Sequence, residues 1–274
     1  MAALFLKICT VVYVLSAFGY LGFLIAPKLK TDRLGTVLMG VGLVMHLATI
    51  VERWFELGVT PVTDFREGLS FFAFALGVVY LPIQIRYRRP IIGAFVAPLV
   101  VVAMTSALLV PPEGGPVPES LRSVWLPIHI TMAFLGDAAL AVAAAVAVLY
   151  LLLERKMKRK ELRGRFIERL PSLETLDTLN FNLVRFGFVL LSMAIITGTL
   201  WAGQLWDGYF SWEPRQTSAI VAWVLYALLI TSRWLVGWRG RRAAFITLLG
   251  FVVMIGSFVT LRLLDLGRHM GTYT

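Results

Sequence analysis

The 274-residue chain is 58% hydrophobic and only 15% charged, more apolar than a water-soluble domain allows, so a bilayer is its natural solvent. Its net charge of +10 would suit a nucleic-acid binder only if the basic residues were gathered on one soluble module; they are scattered between apolar runs, which excludes nucleic acid as a partner. Cys9 is the only cysteine, so the chain can form no internal disulfide, thiol redox pair or CxxCH haem attachment of its own.

Charged residues leave uncharged windows at 8–27, 34–51, 68–85, 90–112, 186–206, 216–232 and 243–261, and an eighth, 123–153, is interrupted only by Asp137. A helix needs about 20 residues to cross the hydrocarbon core. Lipid offers no partner to backbone amides, and unbroken apolar runs do not have the alternation of a barrel strand. The reading is therefore an all-α, polytopic transmembrane bundle of about eight spans, at about 6–26, 34–51, 68–85, 91–110, 124–153, 182–203, 217–233 and 243–263. No internal repeat divides it, and residues 1–274 read as a single integral membrane domain.

If the amino terminus lies outside, the inner loops hold 18 of the 26 Lys and Arg residues and the outer segments seven, with Arg185 inside a span. The positive-inside rule supports that orientation, with both termini on the outer face. The first apolar run has only Lys7 before it and its basic cluster after it, which reads as a retained span rather than a signal peptide. Between spans 2 and 3, Glu52, Asp64, Arg66 and Glu67 read as solvated loop charges. PPEGGPVPES at 111–120 is a turn-rich outer loop. The long inner loop ERKMKRKELRGRFIERLPSLETLD reads as a solvated anchor near anionic lipid that extends span 5 as a helix until Leu170–Pro171.

Chemistry concentrates on the outer side. His46 late in span 2, His129 early in span 5 and His269 beyond span 8 are the only histidines. A lone histidine is more often a hydrogen-bonded structural residue than a ligand, and His46 has both readings open. Residues 201–217, WAGQLWDGYFSWEPRQT, place Trp201, Trp206, Tyr209, Phe210 and Trp212 within 12 positions. An aromatic belt at the interface accounts for two such rings; five beside Arg215 suggest a shaped surface. A planar macrocycle suits it, with aromatic faces against the ring, Arg215 or Arg268 at the propionates and imidazoles at the iron. Asp137 and Arg185, ionisable and inside spans, are further candidates for function or for structural hydrogen bonding.

The segment 201–217 resembles the tryptophan-rich WWD signature of the cytochrome c assembly proteins, the CcsA, CcmC and HemX-like group, roughly W-G-x-Y-W-x-W-D-P-K-E-T. Trp206, Gly208, Tyr209, Ser211, Trp212, Pro214 and Thr217 fall in step with it. PSLETLD, GFVLLSMAIITGTLWA, GWRGRRAAF and GRHMGTY extend the likeness over about 120–274, most closely to the HemX-like or CcsA-like branch. Asp207, Phe210, Glu213, Arg215 and Gln216 depart from the signature, and Thr231 stands where synthase-type relatives often carry histidine.

The resemblance implies haem b as bound or transported ligand, and His129 and His269 as its axial ligands at the outer face. Trp201, Trp206, Tyr209, Phe210, Trp212 and Arg215 would cradle it, with His46 a weaker candidate for the iron. It implies presentation of haem for cytochrome c maturation, with a CcsB-like membrane partner and an apocytochrome c whose thiols complete attachment; the chain itself offers no nucleophile. The implied setting is a bacterial plasma membrane. Two alternatives stay open: a HemX-like accessory protein that moves haem or regulates its synthesis, and a polytopic transporter or scaffold with no haem.

Overall fold

A computed structural model describes residues 2–26, 30–112, 119–161, 167–205, 212 and 214–264, except for the side chains at 2–3, 119–120, 168, 205, 214–215 and 257–264. Among the described residues there are eight α-helices: α1 (Ala2–Ile25), α2 (Thr31–Leu57), α3 (Phe65–Tyr87), α4 (Pro90–Leu109), α5 (Trp125–Lys158), α6 (Leu173–Leu205), α7 (Pro214–Leu235) and α8 (Arg241–Leu264). No strand occurs among the described residues. The expected all-α fold is thus observed. Among the described residues seven helices, α1 to α7, are long and apolar enough to cross a membrane, and α8 contains the uncharged run 243–261.

The helices run past the apolar windows because charged residues can cap helix ends that reach the interface. Asp64 starts α3 by accepting the Glu67 amide at 2.7 Å, an N-cap bond that satisfies one of the four amides a helix start leaves unpaired. Gly58, at φ +69°, ends α2 with its N–H on the Trp54 carbonyl. Arg88 and Arg89 form the tight link into Pro90, which occupies the first turn of α4, where its missing N–H costs nothing. α5 ends at Lys158, and Lys160 takes a left-handed φ of +57°. The inner loop therefore continues α5 by about one turn past Glu154 rather than all the way to Leu170. At its far end Ser172 accepts the Thr175 amide, and α6 begins nine residues before the apolar window expected at 182.

The chain folds as two compact units, residues 1–117 with 162–171, and residues 118–161 with 172–274. In the first, α1 packs on α2 and α4, and α3 on α4 and α2. α1 and α2 cross at Gly19 and Gly35: a Cβ on Gly19 would lie 2.8 Å from both the Cα and the N of Gly35, and Ser16 Oγ donates to the Gly35 carbonyl at 2.7 Å. Close approach of small residues is how helices associate where lipid removes the hydrophobic drive. Backbone cannot give way as a side-chain tip can, so Gly19→Ala is expected to cost about 1–3 kcal/mol, measured as a lower midpoint of unfolding in mixed detergent micelles. Buried Tyr20 and Tyr80 meet edge to face at 5.7 Å, and their hydroxyls reach Thr36 and Gln84. Arg169, from the 162–171 segment, donates to the Phe23 and Leu24 carbonyls and so caps the end of α1.

In the second unit α5 is the central helix. Ala138 to Ala147 are all buried, as expected of a helix enclosed on every side; α6 and α8 pack directly on it and α7 packs on α6 and α8. Asn180 of α6 donates to the Ala143 carbonyl of α5 at 2.9 Å and accepts from Thr247 of α8 at 3.2 Å, joining three helices with one amide. Apolar side chains such as Phe18, Val44, Val102, Phe186 and Val252 are exposed along the helices of both units, the surface a bilayer would cover.

Candidate functional site

His129 lies in the first turns of α5, half-buried against α6. Its Nδ1 is 2.8 Å from the Ala194 carbonyl. A carbonyl oxygen only accepts, so Nδ1 carries the proton and Nε2 holds the ring's lone pair in the neutral form. Backbone carbonyls fix metal-binding histidines in this way. The ring lies over Gly198, where a Cβ would come within 2.7 Å of Cε1 and 2.8 Å of Nδ1 but 3.5 Å of Nε2. Nε2 is therefore the nitrogen turned farther from α6. Trp201 lies parallel to the imidazole, 17° between planes and 6.2 Å between centroids, and is itself only 3% exposed. It backs the histidine from inside α6.

Ala194, Gly198 and Trp201 fall at i, i+4 and i+7, one stripe of α6, and build the seat for the imidazole. One turn on, Gln204 accepts from Ser123 Oγ at 2.9 Å, and Ser123 Oγ accepts the Trp125 amide. The start of α5 and the end of α6 are thereby joined beyond His129, toward the ends of the two helices. Gly198 and the Ala194 carbonyl were not singled out from the sequence. The stripe was readable as a period, but its partner was not, because the pairing of α5 with α6 is a tertiary fact.

Of the aromatic segment, Trp212 is described: it is 74% exposed, at a left-handed φ of +53°, and its carbonyl accepts from Thr217 Oγ1 at 3.2 Å. A tryptophan costs energy in that conformation, and such backbone strain clusters at binding sites. Trp206, Tyr209, Phe210 and His269 lie outside the described residues, as does the side chain of Arg215.

His46 sits in the first unit, fully buried. Its Nδ1 shares a hydrogen bond with Tyr13 Oη at 3.3 Å and its Nε2 with Ser70 Oγ at 2.9 Å, with Tyr13 and Phe74 edge-on to the ring. Both nitrogens are engaged by hydroxyls, the arrangement of a packed polar residue. Asp137 is buried in α5, and Arg185 is exposed on α6. Glu67 is not the solvated charge its loop position suggested. Its side chain is 15% exposed, with Arg53 Nε at 2.9 Å on one oxygen and the Thr63 amide and hydroxyl at 2.9 and 2.7 Å on the other, so it fastens the loop between α2 and α3. Thr231 turns back to the Ala227 carbonyl of its own helix at 2.8 Å.

The chemistry of the His129 seat, a neutral imidazole oriented through Nδ1 and backed by the Trp201 indole, is one that would suit a haem iron.

A family model described as cytochrome C assembly protein matches residues 64–268. Curated relatives include a cytochrome c biogenesis protein CcsA of Parasynechococcus marenigrum (strain WH8102), 30% identical over 264 residues that cover 86% of each chain. Another, from Synechococcus sp. (strain CC9311), is 30% identical over 270 residues, 88% of each chain. A third, from Heterosigma akashiwo, is 29% identical over 251 residues, 79% of this chain and 78% of that one. With that family model matched over most of its length and relatives 30% identical along both chains, the chain belongs to the cytochrome c assembly protein family.

Proposed function

We propose that this multi-pass membrane protein acts in cytochrome c maturation by binding haem b and presenting it at the outer face of a bacterial plasma membrane. The family supports the maturation role. The observation that carries the haem site is the imidazole of His129, fixed by the Ala194 carbonyl over Gly198 and backed by Trp201. His129 and His269 would hold the haem iron, Trp206, Tyr209, Phe210 and Trp212 would line the macrocycle and Arg215 would pair with a propionate. Haem, when bound, supplies an iron that accepts imidazoles and vinyl groups that accept thiols. The chain's own task is to bind and orient; the thiols come from an apocytochrome c, and a CcsB-like membrane protein is the partner at the site.

A second reading, a HemX-like factor that moves haem or regulates its synthesis, draws support from Thr231, whose hydroxyl is satisfied on its own helix and offers no imidazole there. Deleting the chain in its host separates the two. Loss of all covalent haem staining in c-type cytochromes, restored by the intact chain and not by His129→Ala, is the expected result. Normal c-type cytochromes with altered haem-pathway intermediates would overturn the maturation role in favour of the second reading.

A further inference from the structure

Phe181 of α6 has two guanidinium groups near its ring. Arg233 Cζ stands 4.2 Å from the centroid and Arg185 Cζ 5.7 Å. Both cations therefore border one ring, separated by no more than those distances together. Their surroundings are opposite. The Arg233 side chain is 10% exposed, and its Nη2 donates to Asp177 Oδ2 at 2.8 Å, but its Nη1 is buried with no hydrogen-bond partner. The other oxygen of Asp177 accepts the Gly240 amide at 2.7 Å. A charged donor buried without an acceptor is strongly unfavourable, and an acceptor from outside the chain relieves it.

Arg185 is exposed, twelve residues into α6, and its neighbours Phe186 and Val189 are each 51% exposed. That side of α6 is therefore the apolar side. A guanidinium facing hydrocarbon is stable only where it can stretch along its stem to a polar group. Beside Arg233, Trp234, Leu235 and Val236 are 72%, 80% and 70% exposed, an apolar end to α7 with a tryptophan of the kind that settles at headgroup level. A soluble anion gains nothing from such a border, whereas a phospholipid covers it with acyl chains.

We propose that Arg233 Nη1 and Arg185 together bind the phosphate of an anionic phospholipid, whose chains lie along the exposed apolar side chains of α6 and the end of α7. Guanidinium matches phosphate by geometry as well as by charge. This site is separate in chemistry from the imidazole seat and does not depend on haem.

The test uses the full chain in non-ionic detergent, with phosphatidylglycerol, phosphatidylcholine or inorganic phosphate added and bound molecules counted by native mass spectrometry. Phosphatidylglycerol is expected to be retained over phosphatidylcholine, and Arg185→Gln, a change at an exposed residue that leaves the Asp177–Arg233 pair intact, to lower that retention about fivefold, the size of one arginine's attraction to an anionic headgroup. Equal retention of the two lipids, or retention unaffected by Arg185→Gln, would overturn the proposal. Displacement of phosphatidylglycerol by millimolar inorganic phosphate would overturn the lipid as occupant.

Discussion

Asp177→Ala is expected to lower the unfolding free energy by about 3–5 kcal/mol, the largest stability loss of any single substitution considered. Asp177 and Arg233 join α6 to the end of α7 at 2.8 Å, and both side chains are nearly nine-tenths buried, 12% and 10% exposed. Removing the carboxylate leaves the Arg233 guanidinium buried against Phe181 without its counter-charge from the chain and takes the acceptor from the Gly240 amide that starts α8. The cost lies in the orphaned charge rather than in the lost attraction. Asp177→Ala combined with Arg233→Met should therefore be milder than Asp177→Ala alone, because apolar replacement of a whole buried pair is often close to neutral. Unfolding titrations of the single and double variants beside the unaltered chain, in micelles free of anionic phospholipid, measure this. A single variant as stable as the unaltered chain would contradict the orphaned-charge account.

Gly198→Ala should weaken haem binding by about 10- to 100-fold, the usual effect of disturbing a group that orients a metal-binding histidine, while leaving the fold intact. The added carbon meets Cε1 and Nδ1 of His129 at 2.7 and 2.8 Å, closer than real contacts allow, so the imidazole must move and its bond to Ala194 must lengthen. In a helix interior, alanine is favoured over glycine by about 1 kcal/mol. That gain offsets part of the cost of moving the imidazole, so the thermal midpoint is expected to change little while haem affinity falls, a split that no general unfolding defect would produce. Haem titration of the apoprotein beside a thermal melt reads both.

The eight helices were legible because lipid leaves a chain little choice: an uncharged run of about 20 residues must satisfy its own amides. The ends were less legible. Residues 173–181 of α6 carry Glu174 and Asp177, which broke the apolar window, yet they continue the helix because Asp177 finds Arg233 inside the unit. Counting charges by loop put Arg233 with the inner-loop cations and left Asp177 outside any span; their pairing joins residues 56 positions apart on two helices. Glu67 misled for the same reason. Nothing local says that Arg53, 14 residues earlier, returns to cover it. Tertiary pairing also divides the helices into two units, whereas composition reads as uniform along the chain.

At the candidate site, His129 and Trp201 were legible as residue types on one side of a bundle, before any geometry. Their contact was not, since 72 residues separate them and the glycine that lets the imidazole lie on α6 has no chemistry of its own to draw attention. His46 illustrates the converse. As a histidine in a span it carries the same label as His129, but hydroxyls from Tyr13 and Ser70 hold both its nitrogens.

The most direct measurement is the absorption spectrum, oxidised and dithionite-reduced, of the detergent-purified chain beside its His129→Ala variant, with and without added imidazole. The account predicts a bis-imidazole Soret and visible pattern in the unaltered protein, its loss in the variant, and its partial return when imidazole fills the space left beside Gly198. Haem absent from the unaltered protein, or bound with a spectrum indifferent to His129→Ala, would contradict the assignment of His129 as an axial ligand.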